Sequence, residues 1–389
     1  MKLTRVITII FFFAELLVSD CIDLNYDQCI QYAGFCEWNQ ETSQCENIGG
    51  GGGEIEYGPY QYQYLTESDG IRISSFYNGA LLYYPQGAPI PYHTIVLIDA
   101  FGDEYGLEGW AQFYASHGYV AISIGNFDRR SRDLSSNWDY EDRAIALIDA
   151  VETVKYEQHR NLSPLYGLID TTSFAVSGYS TSGGGAHAAV TMDSTLKTAV
   201  LLNPEAAFLD SLNCPIETAY YCLREEHLNH ETPVLIFAGE NELDGLVSDS
   251  DSTYLGMWAL VQYNYIPETT DKSYFESAGQ GHGSSTYPVG PVADYSLAWL
   301  NYYLRGENSS CDYLIQEPEN VSEFITTLEC SSLPSFDLND DGSINISDFV
   351  TLLISIINED GLIEAKDFNF DSNVDIYDLL IISDYLDNQ

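Results

Sequence analysis

The chain has 389 residues, 45% of them hydrophobic and 13% aromatic, which suits one large packed domain with small ones attached and argues against disorder. Only 14 lysines and arginines stand against 59 aspartates and glutamates, a formal net charge of −45, which argues against a nucleic-acid partner or an anionic membrane surface. Acidity on this scale suits a soluble extracellular protein, calcium sites or a saline habitat, and charge alone does not choose among them.

Residues 1–19 read as a secretory leader: Lys2 and Arg5 precede an apolar run centred on Phe11, Phe12 and Phe13. The run is too short to span a bilayer comfortably, so export is expected and a membrane span is not. Eight cysteines in an exported chain point to disulfides rather than metal. They fall in three local groups: Cys21, Cys29, Cys36 and Cys45; Cys214 and Cys222; and Cys311 and Cys330. Residues 20–48 read as a disulfide-rich module too small to fold without its bridges, with Trp38 packed on them. Residues 49–56, opening on a glycine run, read as a flexible linker.

From residue 57 to 330 strands alternate with helices. Ile71–Tyr77 and Ala80–Pro85, joined by Asn78-Gly79, read as a two-residue-turn hairpin. Thr94–Asp99 reads as a buried strand, Leu107–His117 as a helix, Tyr119–Ile124 as a strand and Tyr140–Tyr156 as a helix. Ser173–Val176, Ala199–Leu202, Val234–Ala238 and Ser273–Phe275 are further short apolar strands. The alternation predicts an α/β fold, a mostly parallel sheet with helices on both faces and active residues at the carboxyl ends of its strands.

Gly178-Tyr179-Ser180-Thr181-Ser182-Gly183 lies between the Ser173–Val176 strand and a helix through Ala186–Val190. A serine at the tip of a sharp strand-to-helix turn is the nucleophile elbow of α/β-hydrolases, here with Ser182 where the second glycine usually stands. The serine needs a base, and of seven histidines His282, in the glycine-rich Gly279-Gln280-Gly281-His282-Gly283 after a strand, is the best placed. His187 sits within the elbow's own helix and reads as packing. The base needs an acid; the register after Val234–Ala238 selects Glu242, with Asp244 as the alternative. In this fold the oxyanion is held by backbone N–H groups of Thr181, next to the nucleophile, and of the loop after the first buried parallel strand, which selects Phe101, whose ring would also line the acyl pocket.

Asp99-Ala100-Phe101-Gly102, Trp110-Ala111, Ala115-Ser116-His117-Gly118-Tyr119-Val120 and Tyr295–Leu300, together with the elbow and Gly239-Glu240-Asn241-Glu242, resemble bacterial cutinases and polyester (PET) hydrolases. The resemblance covers about residues 57–330. It implies Ser180 as nucleophile, His282 as base, Glu242 where the family has aspartate, and Phe101 and Thr181 as oxyanion donors. It places Tyr179 in substrate binding, where the family has histidine or tryptophan, and pairs Cys311 with Cys330. The family's shallow aromatic groove implies polymeric or bulky esters; an insertion between Pro204 and Pro233, stapled if Cys214 pairs with Cys222, would narrow it.

Residues 331–389 carry two related acidic loops. Asp337, Asn339, Asp341, Ser343 and Asp348 fall at positions 1, 3, 5, 7 and 12 of the first, and Asp367, Asn369, Asp371, Asn373 and Asp378 at those of the second. Such oxygen sets, with a backbone carbonyl at position 7, wrap Ca²⁺. Each loop leads into an apolar helix, Phe349–Ile357 and Leu379–Leu386. The pair resembles a type I dockerin, which implies structural Ca²⁺ and a cohesin-bearing scaffold or cell-surface partner.

The leading expectation is a secreted serine carboxylesterase of cutinase/polyester-hydrolase type with a calcium-dependent docking tail and no catalytic cofactor. A carbohydrate esterase (acetyl or feruloyl) is the enzyme alternative, and a non-catalytic surface protein the contrasting class.

Overall fold

The computed structural model describes residues 36–39, 44–47, 55–100, 102–126, 140–207, 223, 225–242, 247–248, 255–257, 259–330, 336, 338–339, 344–358, 368 and 373–387. Two compact units divide the chain, Met1–Leu328 and Glu329–Gln389. The leader, most of the first cysteine module, and Cys214 and Cys222 lie outside the described residues.

In the first unit, β1 (Cys36–Asn39) and β2 (Gln44–Asn47) form a separate antiparallel pair. The main sheet uses β3 (Gln61–Leu65), β4 (Asn78–Gln86), β5 (Tyr92–Ile98), β6 (Val120–Gly125), β7 (Ile169–Tyr179) and β8 (Thr198–Leu202). The two-residue β9 (Ala206–Ala207) joins β11 (Val247–Ser248) and β12 (Leu255–Met257) in a small third sheet, while β10 (Val234–Gly239), β13 (Lys272–Ser277) and β14 (Val321–Thr326) complete the main one. Its nine strands run in the order β14-β13-β10-β8-β7-β5-β6-β4-β3. The six central strands, β13 to β6, pair in parallel; β14, β4 and β3 are antiparallel additions at the two edges. The expected α/β class and mostly parallel sheet are both present.

Helices α1 (Glu108–Ser116), α2 (Tyr140–His159), α3 (Thr181–Met192), α4 (Glu225–Leu228), α5 (Ala259–Tyr265), α6 (Gly290–Arg305) and α7 (Ser309–Leu314) flank the strands. Because both faces of the sheet are covered, β5 reads as an unbroken apolar run, Ile95-Val96-Leu97-Ile98, with every residue buried. Val96 and Ile98 join the core under α2 and α3, with Ala144, Leu147, Val151, Ala186 and Val190. Ile95 and Leu97 point the other way. On that second face Trp299 of α6 is fully buried and donates its indole N–H to Thr198 Oγ1 at 2.6 Å. Burying each such large side chain contributes about 2–3 kcal/mol.

One expected pairing is not formed. Residues 71–77 are not a strand, and β4 pairs instead with β3 on one side and β6 on the other. Both edges of β4 are thus occupied. The 71–77 segment is held on α2 by side chains: Ser74 Oγ donates to Asp149 Oδ2 at 2.6 Å, and Tyr77 and Thr153 share a 2.6 Å hydroxyl bond.

In the second unit, α8 (Ile346–Asn358) and α9 (Ile376–Asp387) bury Leu352, Phe368, Val374, Leu379 and Ile382. Cys311 and Cys330 are both disulfide-bonded.

Candidate active site

Ser180 ends β7 and begins α3 with φ 53° and ψ −121°, a backbone conformation that ordinary residues avoid. Gly178 makes this turn possible, since a Cβ there would drive into the Ser182 carbonyl. Ser180 N–H donates to Leu202 O at 2.9 Å, tying the elbow to the end of β8. The hydroxyl is therefore presented at the carboxyl edge of the sheet by backbone alone.

His282 and Glu242 reach the same edge from the loops after β13 and β10. His282 Nε2 lies 2.9 Å from Ser180 Oγ, and His282 Nδ1 bonds Glu242 Oε1. Glu242 is itself fixed: its Oε2 accepts from Gly239 N–H at 3.1 Å and its Oε1 from Asn203 Nδ2 at 3.2 Å. Asp244, the alternative acid, lies outside the described residues.

Asn203, missed in the sequence reading, joins these parts. Its amide also donates to Ser284 Oγ at 2.8 Å, and its Oδ1 accepts from Ser285 N–H at 2.9 Å. It sits at the end of β8 with φ 44°, in the left-handed region that asparagine tolerates best after glycine. An asparagine before proline just after a buried strand was the available signal.

Tyr179 is buried beside the base, its ring 5.3 Å from that of His282, and its hydroxyl donates to His282 O at 3.0 Å. Burial, followed by the nearby Asp99, Glu242 and Glu205 carboxyls, raises its phenol well above the ordinary value. It stays neutral and holds the base loop.

Thr181 is the first residue of α3, where helical N–H groups have no partner within the helix. Phe101, the other expected oxyanion donor, lies outside the described residues, but its neighbours are placed. Ser182 Oγ donates to Asp99 O at 2.6 Å and accepts from Arg143, whose guanidinium also donates to Ala100 O at 2.8 Å and Asn126 Oδ1 at 2.9 Å. Asn126 Nδ2 adds a bond to Asp99 O at 2.8 Å. Ser182 thus fastens the 99–100 loop to the elbow helix, which a glycine would not do. Burial pushes the Asp99 carboxyl up to about 6, against a bond from Ala100 N–H and the charge of Arg143.

A further carboxylate was not expected. Glu205 Oε2 accepts from Ser180 Oγ at 3.4 Å. Burial raises the Glu205 carboxyl above its ordinary range, opposed by His282.

Of the ten residues expected to ligate calcium, Asn339, Asp348, Asn373 and Asp378 are described; Asp337, Asp341, Ser343, Asp367, Asn369 and Asp371 are not. Asp348 and Asp378 are fully buried and bond the backbone of their own loops. Asp348 accepts from Leu338, Asn339 and Asn345 N–H at 2.8, 3.2 and 2.8 Å; Asp378 accepts from Phe368 and Asp375 N–H at 2.6 and 2.7 Å. Among the described residues no group of three or more His, Cys, Asp or Glu is assembled as a metal site.

A strained serine, a histidine and a glutamate at the ends of neighbouring parallel strands have the architecture of an α/β-hydrolase-type enzyme. Residues 54–331 match the PET hydrolase-like family, and the chain belongs to it. Cutinase est2 of Thermobifida alba is 25% identical over 287 residues, covering 70% of this chain and 81% of the relative. Cutinase of Thermobifida fusca is 23% identical over 269 residues, 69% of this chain and 77% of the relative. A bis(hydroxyethyl) terephthalate hydrolase of Streptomyces coelicolor is 21% identical over 263 residues, 67% of this chain and 73% of the relative. The chain is a carboxylic ester hydrolase.

Proposed function

We propose that this protein is a secreted serine carboxylesterase that cleaves polyesters or bulky esters through an acyl-enzyme. Ser180 Oγ attacks the ester carbonyl while His282 Nε2 takes its proton, and the imidazolium returns that proton to the departing alkoxide. Water then attacks the acyl-enzyme by the reverse route, freeing the acid and Ser180. Glu242 holds the Nδ1–H tautomer and balances the imidazolium; the N–H groups of Thr181 and Phe101 receive the oxyanion. The observation that carries this reading is the unbroken hydrogen-bond chain Ser180–His282–Glu242.

The test is turnover of p-nitrophenyl butyrate by the wild type and its loss in Ser180→Ala. Equal turnover by the variant, or none by the wild type, overturns the reading. Release from a polyester film against release from acetylated xylan decides between the polyesterase and the carbohydrate esterase. Export fits the disulfide-bonded Cys311 and Cys330 and the leader-like residues 1–19.

For the tail we propose structural Ca²⁺ and docking to a cohesin-bearing partner. The expected ligands are oxygen donors, the chemistry of a hard cation. Docking is supported by exposed Ile346, Val350, Ile354 and Ile357 on α8, and Ile376, Tyr377 and Leu380 on α9. Calcium should raise the melting temperature of the tail's transition and EDTA should reverse it; no shift removes the metal.

A further inference from the structure

The triad accounts for proton transfer, yet a second carboxylate touches the nucleophile. Ser180 Oγ carries one proton and has two acceptors, His282 Nε2 at 2.9 Å and Glu205 Oε2 at 3.4 Å. The backbone places Glu205 firmly. Its N–H donates to Ser180 O at 3.0 Å, Gln262 Nε2 donates to the preceding carbonyl, Pro204 O, at 3.1 Å, and Tyr140 OH reaches Glu205 O at 3.5 Å. From a backbone held in this way its carboxylate comes within hydrogen-bond reach of the attacking atom, where it faces whatever the ester carries next to its carbonyl.

Burial and the like charge of Glu242 raise its carboxyl, and His282 and the Ser180 bond oppose them. At pH values well above the ordinary carboxylate range the group is ionised. Among the described residues, His282, the charged neighbour that opposes the burial of Glu205, is itself paired with Glu242. A neutral ester meets an acceptor there. An ester with a carboxylate a few bonds from the scissile carbonyl brings a second negative charge to within about 6 Å, where at an effective dielectric near 20 the repulsion is worth roughly a hundredfold in rate.

Resting on the esterase reading, we propose that Glu205 is a charge filter: it admits uncharged esters and rejects esters bearing a carboxylate next to the scissile bond. A diester is then cut once and released as its half-ester. Glu205 takes no part in proton transfer; it determines which esters reach Ser180.

The experiment compares kcat/KM for dimethyl succinate and monomethyl succinate at pH 8 in 0.5 M NaCl, in wild type and Glu205→Gln. The salt shortens the screening length to about 4 Å, so the field of the whole acidic surface is suppressed while a direct contact persists. Because the salt trims the unscreened hundredfold at about 6 Å, the wild type should prefer the diester by at least roughly tenfold. Glu205→Gln should abolish most of that preference, chiefly through a lower KM for the half-ester. An unchanged preference overturns the filter. A second measurement needs no variant: the wild type should hydrolyse methyl 4-(trimethylammonio)butanoate at least tenfold faster than monomethyl glutarate, and equal or reversed rates overturn the proposal. Turnover of p-nitrophenyl butyrate separates the two readings. If it proceeds while the preferences are absent, only the filter falls; if it fails, the esterase reading falls and the filter with it.

Discussion

Replacing Glu242 by glutamine removes one charge and forces a choice that can be worked through atom by atom. Glu242 Oε1 accepts two bonds, from His282 Nδ1 and from Asn203 Nδ2; Oε2 accepts one, from Gly239 N–H. A glutamine has only one acceptor oxygen to divide between them. If its oxygen faces His282, its NH2 meets the Gly239 N–H. The tautomer then survives, but a buried donor loses its partner at about 1–3 kcal/mol, and the imidazolium loses an anion worth about 4 kcal/mol at 4 Å and effective dielectric 20. If the NH2 faces His282, the ring must carry its proton on Nε2 and cannot accept that of Ser180, a defect that costs about 10⁴ in other triads. Either arrangement lowers kcat for p-nitrophenyl butyrate by roughly 10³ to 10⁴. Each arrangement leaves one donor without its acceptor, Gly239 N–H in the first and Asn203 Nδ2 in the second, so the melting temperature should fall in both. A Glu242→Gln variant within tenfold of the wild type would refute the assignment and turn attention to Asp244.

Three further outcomes are expected. Ser182→Ala removes the hydroxyl that bridges Asp99 O and Arg143, although Asp99 O keeps Asn126. Stability should fall by about 1–2 kcal/mol in urea unfolding and kcat by about tenfold with KM little changed; an unaltered kcat would separate that bridge from catalysis. Gly178→Ala should cost about 3 kcal/mol or more, read from the melting temperature, because its methyl meets the Ser182 backbone; a loss under about 1 kcal/mol would show that the elbow can relax. The third concerns acid. His230 donates Nδ1–H to Thr232 O at 2.9 Å and its Nε2 lies 3.2 Å from His187 Nδ1 inside the core. Burial pushes His230 from 6.5 down to about 4, so the unfolded chain takes up the proton first as pH falls. The stability is complete above pH 6.5 and drains away toward pH 4, by roughly 3 kcal/mol for this ring. His230→Gln should flatten that slope in urea midpoints between pH 7 and 4; an identical slope would place the acid sensitivity elsewhere.

What the sequence made legible follows the physics of each element. β5, β8 and β10 announce themselves because a strand covered on both faces must be apolar throughout, and the elbow because only small residues fit at 178 and 182, two places either side of Ser180. The supposed hairpin failed because alternation in Ile71–Tyr77 identifies a half-buried segment, not its neighbour. Of that alternating set only Ile71 and Tyr77 are buried, in a loop held by α2, while Ile73 between them is exposed. Glu205 escaped notice because no local pattern marks it; its meaning comes from Leu202 and Ser180 bonding across strands. Its place three residues past the end of an apolar strand was the available hint, since the carboxyl ends of such strands are where ligands meet the sheet. Ser182 read as a blemish in a motif, and its reason is a partner far away in sequence, Arg143.

The strand of the serine and the strand of the acid are not neighbours; β8 runs between them, so two spacings of about 4.8 Å separate their ends. The imidazole of His282 spans that interval, and the side chain of Asn203, at the end of the strand between, holds the acid and the base loop in place for it. A protein built this way can exchange the residues around its catalytic groups and keep working, provided the silent strand in the middle continues to end on a short amide able to turn left-handed. Altering that one side chain would detune the machinery without touching any atom that reacts.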